Sequence, residues 1–263
     1  MSTLDRDGVR LAYDEAGSGA PPVVLLHGWA CDRRSVAPLF DHFRTARRVV
    51  ALDFRGHSES DKPEGEYTIA ALADDVAWAC RALGLHQPVV VGHSLGGQVA
   101  LELAGRHPGV PSAVVALDAT VVPPVTTAGF LGSFTDAMHG PGFAEAVREF
   151  LGLAFAPFDD PEVKAWVLDA AASTPHHVVA PLWDDGMLAW DGAAAAAACQ
   201  VPALYVDHGA PNCDLDRLRG LLPALMTGQT VGAGHFAPLL VPAQVTAMID
   251  GFLAAIQALP AVS

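Results

Sequence analysis

Lysine is almost missing from this chain: only Lys62 and Lys164 occur among 263 residues, and the formal net charge is -14. Nucleic acids and anionic membrane surfaces are gripped by clustered cations, so neither is an expected partner, and polyanionic substrates are disfavoured. Long apolar runs are lacking too; a membrane span needs about 20 such residues in a row. The first seven residues, Met1 to Asp7, are polar where a signal peptide would carry an apolar core, which points to a cytoplasmic protein. Cysteine is sparse, and Cys31, Cys80, Cys199 and Cys213 show no C-x-x-C spacing. Neither a zinc site nor a disulfide framework is signalled, and no metal or cofactor is expected. The length suits one large α/β domain, or one domain carrying an insertion.

What the chain does have is a run of β-branched residues ending in glycines around a serine: Val89-Val90-Val91-Gly92-His93-Ser94-Leu95-Gly96-Gly97. It reads as a buried strand, a sharp turn and a helix through Ala104. A serine hydroxyl becomes a useful nucleophile when it is held clear of the backbone beside a base, and a tight strand-to-helix turn does this by forcing strained φ/ψ on the serine. The Gly-x-Ser-x-Gly pentad arises by chance in about one chain in ten to twenty, so the flanking strand and helix carry the weight of the reading.

Other stretches fit the same architecture. Pro22 to Leu26 is a continuous apolar run, as a strand buried on both faces requires, and Arg48 to Leu52, Ala113 to Leu117 and Val201 to Val206 read as further strands of the same sheet. Val9 to Glu15 alternates like an exposed strand, and Thr230-Val231 reads as a last short one. Between them Ile69, Leu72, Val76 and Ala79 keep helical spacing, and Val245 to Leu259 predicts a C-terminal helix. Strands alternating with helices imply a mostly parallel central sheet flanked by helices, with ligands at the strands' C-terminal ends. Trp29, Ser94 and Asp118 all emerge there.

From Val121 to about Trp190 no buried strand is found, only helical pieces at Phe134 to His139, Phe143 to Leu153, Pro161 to Ala172 and near His177 to Leu188. The expected organisation is a core of residues 1–120 and 191–263 with a helical lid at 121–190. Trp29 from the core with Phe134, Met138, Trp183 and Met187 from the lid are the candidate lining of an apolar substrate pocket.

With Ser94 on its elbow, His27-Gly28 after an early strand and His235 in the glycine loop Gly232-Ala233-Gly234, the chain resembles the α/β-hydrolase superfamily. The likeness covers nearly the whole length outside the lid. It implies that Ser94 is a nucleophile, that His235 is its general base, and that the backbone N–H groups of Trp29 and Leu95 form an oxyanion hole. His27, His57 and His93 are expected to be structural. Many relatives place the acid in a Gly-x-x-Asp loop after the penultimate strand, but here Gly209-Ala210-Pro211 runs into Asn212. The candidates are Asp118, at the end of the strand after the serine helix, and Asp214. Asp118 is preferred, a placement similar to that in some lactonases and cofactor-free dioxygenases of this fold.

The resemblance therefore implies a carboxylic ester hydrolase, an esterase or lactonase, acting on a neutral or apolar small-molecule substrate through an acyl-enzyme. The alternatives are a carbon–carbon bond hydrolase, or a cofactor-independent dioxygenase of a hydroxylated N-heteroaromatic ring. Such dioxygenases carry a further histidine just after the Gly-Trp pair, where this chain has Cys31 and Asp32.

Overall fold

Apolar runs four or five residues long bury every side chain only when both faces of their sheet are covered. The computed structural model, which describes residues 1–209 and 212–258, provides that cover. Its strands are β1 (Ser2–Arg6), β2 (Val9–Ala16), β3 (Val23–Leu26), β4 (Val49–Leu52), β5 (Val89–His93), β6 (Ala113–Leu117), β7 (Ala203–Asp207) and β8 (Met226–Gln229). They form one sheet in the order β1-β2-β4-β3-β5-β6-β7-β8. β2 is antiparallel to both neighbours, and every pair from β4 to β8 is parallel.

Alternate residues of the central strands serve two cores. Val23, Leu25, Val49, Val89 and Val91 pack with Leu39, Phe43, Ile249 and Phe252 from the helices Ala37–Phe43 and Pro242–Gln257. Val24, Leu26, Val50, Val90 and Val114 pack on the opposite face with Leu72, Val76, Val99 and Leu103 from the helices Ile69–Ala82 and Leu95–Arg106. Each such side chain taken from water contributes roughly 1.5–3 kcal/mol.

Between β6 and β7 the chain runs through the helices Val125–Gly132, Thr135–His139, Phe143–Leu153, Pro161–Ala172 and His176–Leu182, a π-helical turn at Trp183–Ala189, and the helix Gly192–Ala198. Gln98 and Asp185 are among the polar ties that fasten this helical insertion to the sheet domain. Gln98 donates through Nε2 to the carbonyls of Thr120 (2.8 Å) and Gly186 (2.7 Å). Asp185 accepts the N–H of Ile69 at 2.6 Å, satisfying one of the free donors at that helix's start.

Several elements differ from the sequence reading. β1 pairs with β2 through a tight turn at Asp7-Gly8, both with positive φ, the short-loop signal of a hairpin. The last strand is Met226–Gln229 rather than Thr230-Val231: the N–H of Thr230 makes the final ladder bond to the carbonyl of Asp207 (2.8 Å), that of Val231 leaves the sheet for the Gln244 side chain (3.0 Å), and Gly232 then takes a φ of 76°. The stretch near His177 to Leu188 is two pieces: Pro181 has no N–H to give an α-helical ladder, and the chain widens into the π turn from Trp183. Val125–Gly132 and Leu215–Leu221 are further helices. The C-terminal helix ends at Gln257, and Leu259 lies outside the described residues. Among the described residues no helix is long and apolar enough to cross a membrane.

Candidate active site

The turn after β5 is one that only glycines permit. A Cβ on Gly92 would lie 2.0 Å from the carbonyl oxygen of Gly96, and one on Gly96 would lie 2.5 Å from that of Leu26. Ser94 between them has φ 53° and ψ -118°, strained for a residue with a side chain. Its N–H is bonded to the carbonyl of Leu117 at 2.8 Å. Ser94 occupies the N-cap position of the helix Leu95–Arg106 without a side-chain capping bond, so the hydroxyl is not consumed by the helix. Among the described residues, no hydrogen-bond acceptor occupies the backbone N–H of Trp29 or that of Leu95.

Asp118, directly after β6, also has positive φ (50°) and is 4 % exposed. Three side chains converge on its carboxylate. His235 donates from Nδ1 to Oδ2 at 2.5 Å, which leaves Nε2 as the ring's free acceptor in the neutral form. Asn212 donates through Nδ2 to Oδ1 at 3.2 Å. His208, just beyond β7, brings Nδ1 to 2.7 Å from the same Oδ2, at an angle short of an aligned hydrogen bond. Burial works against the charge on Asp118, but the fields of His235 and His208 and their contacts outweigh it and hold the carboxyl well below the usual range.

The backbone of His235 is held on both sides. Its N–H donates to the carbonyl of Ala154 in the insertion (2.9 Å), and its carbonyl accepts from Nε2 of His93 at 2.9 Å. Ser94 and His235 face one cavity of about 200 Å³, with His208, Asn212 and Thr120 on its polar side. Trp29, Phe130, Phe150, Met187 and Phe236 form its apolar side. That volume lies below the roughly 300–1,000 Å³ usual for ligand pockets.

A family model for the alpha/beta hydrolase fold matches residues 21–138. The solved structure of Est816, an N-acyl homoserine lactone degrading enzyme, superposes with a TM-score of 0.84 at 26% identity, over 95% of this chain and 100% of that one. This chain has the α/β-hydrolase fold. Two curated relatives widen the range of chemistry. A 2-(acetamidomethylene)succinate hydrolase of Mesorhizobium japonicum is 35% identical over 117 residues, 44% of this chain and 42% of that protein. A 2-heptyl-3-hydroxy-4(1H)-quinolone dioxygenase of Mycobacteroides abscessus is 34% identical over 143 residues, 53% of this chain and 51% of that protein. The chain thus spans about half or less of the length of these curated relatives. Among α/β-hydrolase-fold proteins, then, its relatives include a hydrolase, a lactone-degrading enzyme and a dioxygenase.

Within this α/β-hydrolase fold, Asp214 is occupied elsewhere: its side chain caps the helix Leu215–Leu221, accepting from the N–H of Arg217 at 3.0 Å. Trp29 and Met187 line the cavity. Phe134, Met138 and Trp183 do not, and this corrects their assignment to the pocket. Met138 and Trp183 are fully buried inside the insertion, and Phe134 packs behind the wall against Phe130 and Phe150. Their helices turn those faces toward one another, and helical spacing alone does not say which face meets the sheet.

His27, His57, His93, His139, His176 and His177 have structural partners. His27 accepts the N–H of Phe54 (3.1 Å) and His57 that of Ala30 (3.3 Å), while each gives its other N–H to a backbone carbonyl. Burial lowers their pKa to about 4 and about 3, and burial followed by the charge of His235 lowers that of His93 to about 3. His139, His176 and His177 bond within or beside the insertion, away from the cavity. Sequence reasoning missed His208 and the contact of Asn212 with Asp118. For His208 a signal existed, since it stands at the C-terminal end of a parallel strand, where sites on such sheets form.

Proposed function

We propose that this protein is a serine hydrolase that cleaves a small apolar or neutral ester or lactone through an acyl-enzyme. The observation that carries the reading is the 2.5 Å bond from His235 to buried Asp118, on the wall of the same cavity as the strained Ser94. In this reading His235 takes the Ser94 proton as Oγ attacks the carbonyl carbon. The carbonyl's electron pair moves to its oxygen, where the N–H groups of Trp29 and Leu95 receive it, each worth roughly 3 kcal/mol. His235 then returns the proton to the leaving oxygen, and water repeats the sequence to free the acid. Asp118 fixes the imidazole and balances its transient charge. The helical insertion acts as the lid and supplies most of the apolar wall; the partner is a small molecule, and no cofactor takes part.

The test is a panel of p-nitrophenyl esters and lactones of graded length, run beside Ser94→Ala and a fluorophosphonate probe. Turnover of short acyl groups with labelling at Ser94 is expected. A probe that leaves Ser94 unmodified in active protein would overturn the reading.

The quinolone dioxygenase relative and the Asp118–His235 pair favour a second reading, in which His235 deprotonates a hydroxylated heteroaromatic ring that then reacts with oxygen. Cys31 and Asp32 stand where such enzymes carry a further histidine. Oxygen uptake with a 3-hydroxy-4-quinolone, undiminished in Ser94→Ala, would select it over ester cleavage.

A further inference from the structure

Asp118 meets two imidazoles at a single oxygen, an arrangement that a Ser-His-Asp relay does not require. His235 occupies Oδ2 with an aligned bond at 2.5 Å, and His208 stands 2.7 Å from the same atom from the other side, the two rings 6.4 Å apart and nearly perpendicular. The sheet imposes this meeting. Leu117 and Val206 are paired in register on the parallel strands β6 and β7, so the residues that follow them leave the sheet side by side. The loop carrying His208 is anchored on either side of it. Asp207 Oδ1 accepts the N–H of Gly209 at 2.7 Å, and the carbonyl of Asp207 accepts from Thr230.

The charges facing His208 are one-sided. Among the described residues Asp118 touches it, Asp207 precedes it and Asp159 adds its charge from the insertion; the titratable ring beside it is His235, against which His93 packs in turn at 4.6 Å. Among the described residues no arginine or lysine lines the cavity.

We infer that His208 is a positioning residue of the active site, held as an imidazolium against Asp118, where it steadies the carboxylate for His235 and keeps His235 neutral to lower pH than Asp118 alone would allow. Direct contact with the carboxylate favours the cation of His208 over the opposing cost of burial, and the charges of Asp118, Asp207 and Asp159 add to it. The consequence for His235 follows from Coulomb's law. A carboxylate alone favours protonation of the neighbouring ring, and a second cation at about 6 Å offsets part of that pull by on the order of one pH unit. The acid is shared, and the working range of the base extends downward.

The kinetic arm of this proposal rests on the serine-hydrolase reading, so the deciding measurement does not use turnover. Imidazole nitrogens of the full chain without substrate are titrated by two-dimensional NMR, with His208 and His235 assigned from His208→Gln and His235→Gln. A His208 that is still protonated at pH 7, together with a His235 midpoint that rises by on the order of one unit in His208→Gln, is the expected result. A His208 that is neutral at pH 6 overturns the proposal, as does a His235 midpoint unmoved by His208→Gln. The titration of His208 is read in the unsubstituted chain and survives a variant that folds poorly. In the kinetic arm, the acid limb of kcat/KM for p-nitrophenyl acetate moves up in pH with His208→Gln. A uniform fall in kcat without that movement marks a merely structural residue and overturns the proposal, whereas absence of any Ser94-dependent turnover is a failure of the hydrolase reading, not of this one.

Discussion

Asp159, in the helical insertion, accepts the backbone N–H of Gly234 with both carboxylate oxygens at 3.2 Å, one residue before His235. The same carboxylate accepts the N–H of Ala156 at 2.7 Å, and the N–H of His235 itself goes to the carbonyl of Ala154. The loop that presents the imidazole is thus built jointly by β8's exit and the insertion. A Cβ on Gly234 would sit 2.7 Å from the Ala154 carbonyl, so the two backbones approach as closely as glycine allows.

Loosening that loop should cost turnover more than stability. Asp159→Ala is expected to lower kcat between tenfold and a hundredfold, since displacing a catalytic group by about 1 Å is worth up to a hundredfold. Asp159→Asn keeps an acceptor and should lie between it and the parent. A kcat for Asp159→Ala within twofold of the parent would show that the insertion does not hold His235 in place.

The acid assignment is testable by moving the charge. Asp118→Asn should lower kcat by about 10⁴, the scale found when a triad carboxylate becomes an amide. Asp214→Asn keeps a good N-cap and should stay within a few fold. Asn212 already touches Asp118 at 3.2 Å, so Asn212→Asp in the Asp118→Asn background should return at least tenfold of the lost rate. Equal losses in Asp118→Asn and Asp214→Asn would remove Asp118 from its role.

Acid should unfold the protein in two stages. His27, His57 and His93 have folded-state pKa values of about 4, 3 and 3, against an unfolded value near 6.5, so the unfolded chain binds more protons between those limits. Stability should therefore fall as pH drops below about 6.5, by up to about 1.4 kcal/mol per pH unit for each ring. Asp118, whose pKa is depressed, contributes stability that is present above about pH 4 and is lost as pH falls through its lower folded value. Urea midpoints measured from pH 7 to 3 check this, and a flat profile from pH 6.5 to 4.5 would contradict the buried neutral histidines.

Phe150 sets the size of the cavity. Its ring lies between Trp29 (6.0 Å), Trp183 (4.8 Å) and Phe134 (5.4 Å), and it faces the cavity itself. Phe150→Ala should shift the preferred p-nitrophenyl ester to a longer acyl chain, at about 2 kcal/mol of stability, below the usual buried-Phe loss because the residue is only half-buried. An unchanged chain-length profile would place the acyl group elsewhere.

What the sequence determined by itself was local. Apolar runs specified β3 to β7, the glycines around Ser94 specified the elbow, and Asn212 showed that the loop after the penultimate strand carries an amide where a carboxylate is expected. Those features depend on residues next to one another, where chain sterics and periodicity act directly. The tertiary structure decided which carboxylate meets His235, because Asp118 and His235 are 117 residues apart and only the pairing of β6 with β7 sets the distances among Asp118, His208 and Asn212. It decided the lining of the cavity for the same reason: Phe134, Met138 and Trp183 carry the composition of a pocket wall, but the packing of helix against helix turned them inward and left Phe130 and Phe150 facing the space.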